Sequence, residues 1–227
     1  MTGDAINADT HKKYEYKIIK LNYKWLDKIL CLQDLIYDNM QNKDIYEKIT
    51  EFELIDAFSG NGLCLGTIIE KQLVAFRILS YGDSETIELA KDCNIKEIHQ
   101  VAFIEATIVK KNFRGNSLQK IMMKLTMDYL KKRRKFKYAL STVSPKNIAS
   151  IKSLLANGFK LIKLSKMYKG KLRYVCSYDF TNKVSNKEQT TTLKFDDYEN
   201  IHNLLLDGFY GERVIIDENS FYIEFSK

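Results

Sequence analysis

Residues 109–120 read VKKNFRGNSLQK, with the pair Arg114-Gly115 set between two apolar runs. The run before it, VAFIEATIV at 101–109, predicts a strand. The run after it, SLQKIMMKLTMDYLKKR at 117–133, puts Leu118, Ile121, Met122, Leu125 and Tyr129 on one helical face. YALSTV at 138–143 predicts the next strand, which makes a β-α-β unit. A helix N-terminus leaves its first backbone N–H groups unpaired and gathers partial positive charge there. Glycine lets the main chain approach a ligand closely, and Arg114 adds a fork of donors suited to phosphate. Strand, KKNFRGNS loop and helix therefore form a candidate phosphate cradle. The plainer reading is a tight strand-to-helix turn beside a solvated arginine. The spacing matches neither G-x-x-x-x-G-K-[ST] nor G-x-G-x-x-G.

Upstream, YEYKIIK at 14–20 alternates as a strand, and a helix is predicted from Trp25 to Met40. A second helix is predicted over 44–58, followed by a hairpin of LCLGTIIE and QLVAFRILSY. Residues 82–99 are polar and acidic, and read as a long loop or short helix. Downstream, NIASIKSLLANGF at 147–159 predicts a helix capped by Asn147 and ended by Gly158, before two further strands. TNKVSNKEQ reads as a linker. Beyond it, Gly208-Phe209, Ile201, Leu204 and Leu205 repeat Gly158-Phe159, Ile151, Leu154 and Leu155 at one constant offset. This predicts a second β-α-β-β unit, by internal duplication or by two uses of a common helix C-cap. So small a unit cannot bury its apolar residues alone, and is expected to pack on the main sheet or on a second copy in a homodimer.

The whole chain has 227 residues, 45% of them hydrophobic, with one proline and ten glycines, which excludes a low-complexity protein. Its net charge of +7 favours anionic partners. The four cysteines lack C-x-x-C spacing and the three histidines (His11, His99, His202) are dispersed, so no metal site or disulfide framework is expected. No apolar leader or membrane span is read, and a reducing, cytoplasmic setting is expected. The basic run KKRRKFK at 131–137 sits at a helix C-terminus, where cations complement the dipole. No nucleic-acid-binding motif accompanies it, and a nucleic-acid-binding module is the least favoured reading.

VKKNFRGNSLQKIMMKL resembles the acyl-coenzyme A site of the GNAT superfamily of N-acetyltransferases, whose pattern V-x-P-x-Y-R-G-x-G-x-G opens a helix. Arg114 and Gly115 agree with it, Phe113 replaces the aromatic, and Ser117 and Gln119 stand where relatives often have glycine. NIASIKSLLANGF is similar to the family's N-x-x-A-x-x-x-Y-x-x-x-G-F, with Asn147, Gly158 and Phe159 in place and Ser150 at the small position. The resemblance covers about residues 13–180. It implies an α/β (α+β) fold, a mixed central sheet flanked by helices, with the β-α-β-β unit as a C-terminal appendage. The expected organisation is a flexible N-terminus at 1–12, a domain at 13–182, a linker at 183–189 and the appendage at 190–227. The implied activity is transfer of acetyl from acetyl-CoA to a primary amine of a small molecule or peptide. The alternative is a non-catalytic acyl-CoA-binding relative.

By resemblance, the amides of Gly115, Asn116, Ser117, Leu118 and Gln119 hold the pyrophosphate with Arg114 beside it, the backbone of Thr107, Ile108 and Val109 meets the pantetheine arm and thioester, and Asn147 belongs to the same site. Leu154 stands where relatives have an acidic tyrosine, and Thr142 where some have glutamate. Glu105 is the remaining carboxylate placed to act as base, if burial raises its pKa. Its plainer reading is a strand-edge salt bridge. Alternation puts Glu105, Thr107 and Val109 on one strand face. The leaving thiolate would be protonated by Tyr168, Tyr174 or water.

Overall fold

The computed structural model describes residues 1–181, 189–218 and 220–227. Two compact units divide it, Met1–Thr86 with Ala102–Lys135 and Ile87–Val101 with Phe136–Lys227.

In the first unit, β1 (Thr2–Ile6), β2 (Lys13–Lys20), β3 (Gly62–Ile69), β4 (Gln72–Ser80) and β5 (Val101–Val109) lie in that order, each antiparallel to the next. The N-terminal residues expected to be flexible instead pair with β2, Thr2 opposite Lys17 and Ile6 opposite Lys13. Burial of Ala5 at 1% exposure explains why so polar a stretch is held. α1 (Leu26–Asp38) and α2 (Glu51–Asp56) cover one face of the sheet, where Leu21, Ile29, Leu54, Phe76, Ile78, Ala106 and Ile108 form a continuous apolar core. α4 (Leu118–Arg133) packs on β3 and β4, and α3 (Ser84–Asp92) follows β4 in the chain.

The predicted helix over 44–58 is shorter than expected, because its first part is drawn into a hydrogen-bond hub. The Gln33 side chain is 1% exposed. Its Oε1 accepts from the Tyr46 hydroxyl at 2.7 Å and the Ile49 amide at 2.8 Å, and its Nε2 donates to the Ile49 carbonyl at 2.8 Å. Helix α2 can begin only after this segment. It does so at a capping box, with the Glu53 amide donating to Thr50 Oγ1 and Glu53 Oε2 accepting the Thr50 amide.

In the second unit, β6 (Tyr138–Val143), β7 (Lys160–Met167), β8 (Lys171–Asp179), β9 (Thr190–Lys194), β10 (Tyr210–Asp217) and β11 (Ser220–Ser226) lie in the order β6-β8-β7-β10-β11-β9. That order reads the same from either end when β6, β7 and β8 are exchanged for β9, β10 and β11. Helix α5 (Ile148–Ala156) packs on β10, and α6 (Tyr198–Leu206) packs on β7. Both helices end in one cap, with Phe159 N–H donating to the Leu154 carbonyl and Phe209 N–H to the Leu204 carbonyl, after Gly158 at φ 83° and Gly208 at φ 87°. Both hairpins carry a register shift at the same place, Leu161/Lys163 in one and Gly211/Arg213 in the other. A shared bulge goes beyond what a common C-cap explains, and internal duplication accounts for both. Leu205 and Phe225 are buried within the unit, while Leu206 at 72% and Ile216 at 49% are left exposed. The expected linker, apart from Gln189, lies outside the described residues.

Candidate active site

Register across β4 and β5 pairs Ile78 with Ala106 and Leu79 with Ile104, so Glu105 is the extra residue of a β-bulge. A bulge re-aims the side chain it carries. Thr107 pairs with Arg77, whose Nη1 lies 3.2 Å from Met123 Sδ on α4, so Thr107 faces α4. Glu105 does not share that face. Its charge acts on Cys64, buried in the α1–α2 core, and on Tyr46, packed against the same core. The alternation expected from sequence is broken at the bulge, and Glu105 turns to the side of Ala106 and Ile108.

Burial pushes the Glu105 carboxyl up to about 8; the nearby Ser80 hydroxyl opposes the shift, and the charges of Glu53, Asp83 and Glu85 add to it. Glu105 Oε2 and Ser80 Oγ are both buried and make no hydrogen bond. Among the described residues Glu105 forms no salt bridge, contrary to its plainer reading. A carboxyl that loses its proton close to neutral pH is suited to general-base work.

The cradle follows β5 in the same unit. Gly115 has φ 85° and Ser117, at the cap of α4, has φ 56°. The Arg114 amide donates to the Lys111 carbonyl and the Ile121 amide to the Ser117 carbonyl, and the amides between them, Gly115 through Lys120, have no acceptor among the described residues. Left-handed residues ahead of a helix turn successive N–H groups toward one point, as in anion-binding nests. A Cβ added at Gly115 would meet nothing within 4 Å, which leaves the approach open. Arg114 is exposed, and its Nε donates to the Val109 carbonyl at 3.2 Å, which ties the guanidinium back to the end of β5. These features fit a pyrophosphate.

The side chains of the other expected residues make structural contacts. The Asn116 side chain accepts the Ile6 amide at 2.7 Å and donates to the Ile6 carbonyl at 2.8 Å, so it fastens the loop to β1. Leu118 is 2% exposed and anchors α4 in the core, and Gln119 is half-buried in the first helical turn. Ile108 is buried in the α1–α2 core, opposite Phe76 on β4, and Val109 lies opposite Ala75. In the second unit, Asn147 caps α5 by accepting the Ser150 amide at 3.1 Å. Tyr168 shares a 3.0 Å hydrogen bond with Thr142, and the buried Tyr174 donates to the Phe195 carbonyl at 3.4 Å. In the basic run, Phe136 is buried and Arg133 lies over the Tyr129 ring at 4.6 Å.

Two residues escaped the sequence reading. Gln33 is polar at a core-facing helical position, a signal that is visible but silent about its partner. Arg77 is 2% exposed, its Nε has no hydrogen bond, and burial lowers its pKa to about 9.

No protein-family model matches the sequence, and comparison with curated proteins finds no match. Solved structures do match. The GNAT-family acetyltransferase of Streptococcus pneumoniae aligns with TM-score 0.56 and 12% identity, over 72% of this chain and 98% of that one. Arabidopsis thaliana NAA60 in complex with acetyl-CoA aligns with TM-score 0.58 and 13% identity, over 74% and 99%. The Escherichia coli ribosomal-protein-S18-alanine N-acetyltransferase aligns with TM-score 0.54 and 12% identity, over 77% and 98%. The chain has the fold of the GNAT acetyltransferases, a mixed sheet flanked by helices, and it is longer than the neighbours it contains. No helix among the described residues is long and apolar enough to cross a membrane.

Proposed function

We propose that the chain is an N-acetyltransferase that moves the acetyl group of acetyl-CoA to a primary amine. The observation that carries this reading is the run of unpaired amides from Gly115 to Lys120, after a strand whose bulged residue, Glu105, has a buried carboxyl oxygen, Oε2, without a hydrogen bond. The amides and Arg114 would hold the pyrophosphate, and Glu105 would take the proton of the attacking amine. When bound, the cosubstrate supplies the acetyl carbon: the C–N bond forms as the C–S bond breaks, and the electron pair leaves on sulfur. Glu105 accepts one proton from nitrogen, and the thiolate gains one from solvent. Alignment of amine and thioester supplies much of the remaining rate.

Leu154, 6% exposed where relatives carry a phenol, favours a second reading, an acyl-CoA-binding protein without turnover. Thiol release from acetyl-CoA across a panel of amines separates the two. Release that depends on an amine supports the enzyme; tight coenzyme A binding with no release under any amine supports the binder.

A further inference from the structure

Asn116 stands between the two left-handed residues of the cradle, Gly115 at φ 85° and Ser117 at φ 56°. Glycine adopts that conformation freely, whereas a residue with a Cβ does so at a cost. The loop shape that presents the amides of Gly115 to Lys120 therefore needs support from outside. That support is the N-terminal hairpin, whose first strand lies ahead of the stretch that resembles the acetyltransferases. Asn116 Oδ1 accepts the Ile6 amide at 2.7 Å, and its Nδ2 donates to the Ile6 carbonyl at 2.8 Å and to the Phe113 carbonyl at 3.0 Å. One side chain thus stands in for a strand residue beside β1 and also closes the loop on itself. Two further contacts run alongside it. The Ala8 amide donates to the Asn112 carbonyl at 2.7 Å, and the Tyr14 ring meets the buried Phe113 ring edge-on with centroids 6.1 Å apart.

The hairpin itself is lightly held. β1 is the outermost strand of the first unit and has five residues, of which Ala5 is buried and Ile6 is 53% exposed. An edge strand that buries so little apolar surface can open without opening the core. Its docked and released states are therefore close enough in free energy for a ligand to shift them.

We propose that docking of β1 sets the affinity of the cradle for coenzyme A, with Asn116 as the positioning residue that connects the two. This rests on the reading of the loop as a pyrophosphate site. With β1 docked, the loop keeps the shape that presents its amides; with β1 released, it samples other shapes, and affinity falls with the fraction of molecules that remain competent. Linkage makes the effect reciprocal, so bound coenzyme A holds β1 in place by the same factor. Capture or removal of residues 1–8 would lower cofactor affinity while leaving Arg114 and the cradle amides in the chain.

Calorimetry with coenzyme A compares the full wild-type chain, Asn116→Ala, Ile6→Pro and the double variant. Ile6→Pro removes the amide that Asn116 accepts, and proline is tolerated on the open side of an edge strand. Each single variant should bind about three- to tenfold more weakly, the range for one or two hydrogen bonds. The double variant should lose no more than the worse single one, because both break one contact. In the wild type, saturating coenzyme A should slow hydrogen exchange at the Ile6 and Ala8 amides by a similar factor, although neither is an amide of the cradle. Unchanged affinity in both single variants, or losses that add in the double variant, overturns the coupling and leaves the cradle standing. Exchange at Ile6 and Ala8 that coenzyme A leaves unchanged overturns it as well, and this measurement decides alone if Ile6→Pro fails to fold. Absence of coenzyme A binding to the wild type overturns the cradle, and the coupling with it.

Discussion

Leu161 and Gly211 pair with each other at the junction of β7 and β10, and they are equivalent positions of the two repeats. The offset that carries Gly158 onto Gly208 also carries Leu161 onto Gly211. A pairing between equivalent residues is what a local two-fold axis requires, so the second unit is organised like an isologous dimer within one chain. A Cβ at Gly211 would stand 3.0 Å from Ile223 Cγ2, 3.1 Å from Leu161 Cβ and 3.2 Å from Phe225 Cε1. Overpacking of this kind costs about 1–3 kcal/mol, and Gly211→Val should lower the urea midpoint accordingly. A midpoint equal to wild type would show that the junction has slack.

For the cradle, Arg114→Ala should weaken acetyl-CoA binding by about 1–3 kcal/mol, the range for hydrogen bonds to charged groups. Gly115→Val should weaken it too, because a β-branched residue is strained at φ 85°. Calorimetry reads both. Unchanged affinity in the two variants would remove the phosphates from this loop.

Glu105 ties activity and stability to pH in opposite directions. Its carboxyl, ordinarily at 4.5, is raised to about 8 in the folded chain. Between those values the folded chain holds a proton that the unfolded chain has lost, so stability falls as pH rises from 4.5 through 8 and stays low above. Glu105→Gln should therefore gain stability relative to wild type at about pH 9 and little at about pH 4. The same variant should lose about 10²-fold in kcat and lack the acid limb of the rate profile. Equal pH dependence of stability in the two proteins would place Glu105 in water.

Gln33→Leu strands the Tyr46 hydroxyl and both backbone groups of Ile49. Each buried group left unpaired costs about 1–3 kcal/mol, so this single change should rank among the most destabilising in the first unit. Gln33→Glu keeps the acceptor and should cost less if it is protonated. Thermal unfolding orders the three proteins, and a Leu variant as stable as wild type would mean that the segment 46–49 re-pairs elsewhere.

Regular periodicity made the β3–β4 hairpin, β5, α4, β6 and α5 legible, since each buries one face or stripe against a core. The turn from β5 to α4 was legible too, because Arg114 and Gly115 stand in order between strand and helix. The face of Glu105 was not, as a bulge adds one residue without any composition of its own. β1 escaped because its pairing rests on backbone groups and a single buried alanine. The start of α2 was hidden behind Gln33, although Thr50 and Glu53 carry the capping-box spacing. Arg77 lay unnoticed inside QLVAFRILSY, where its neighbours set the pattern.

The exchange of helices between repeats dictates an order of events as the chain folds. Helix α5, whose Ile151, Leu154 and Leu155 are buried, packs chiefly on β10, which lies more than a full repeat later in sequence. Closing so long a loop is costly before its contacts form. Helix α5 can cover part of β7 at once, but the surface it turns to β10 stays open until residues 210–217 leave the ribosome. Slow synthesis in that interval would be the time at which this protein most needs a chaperone.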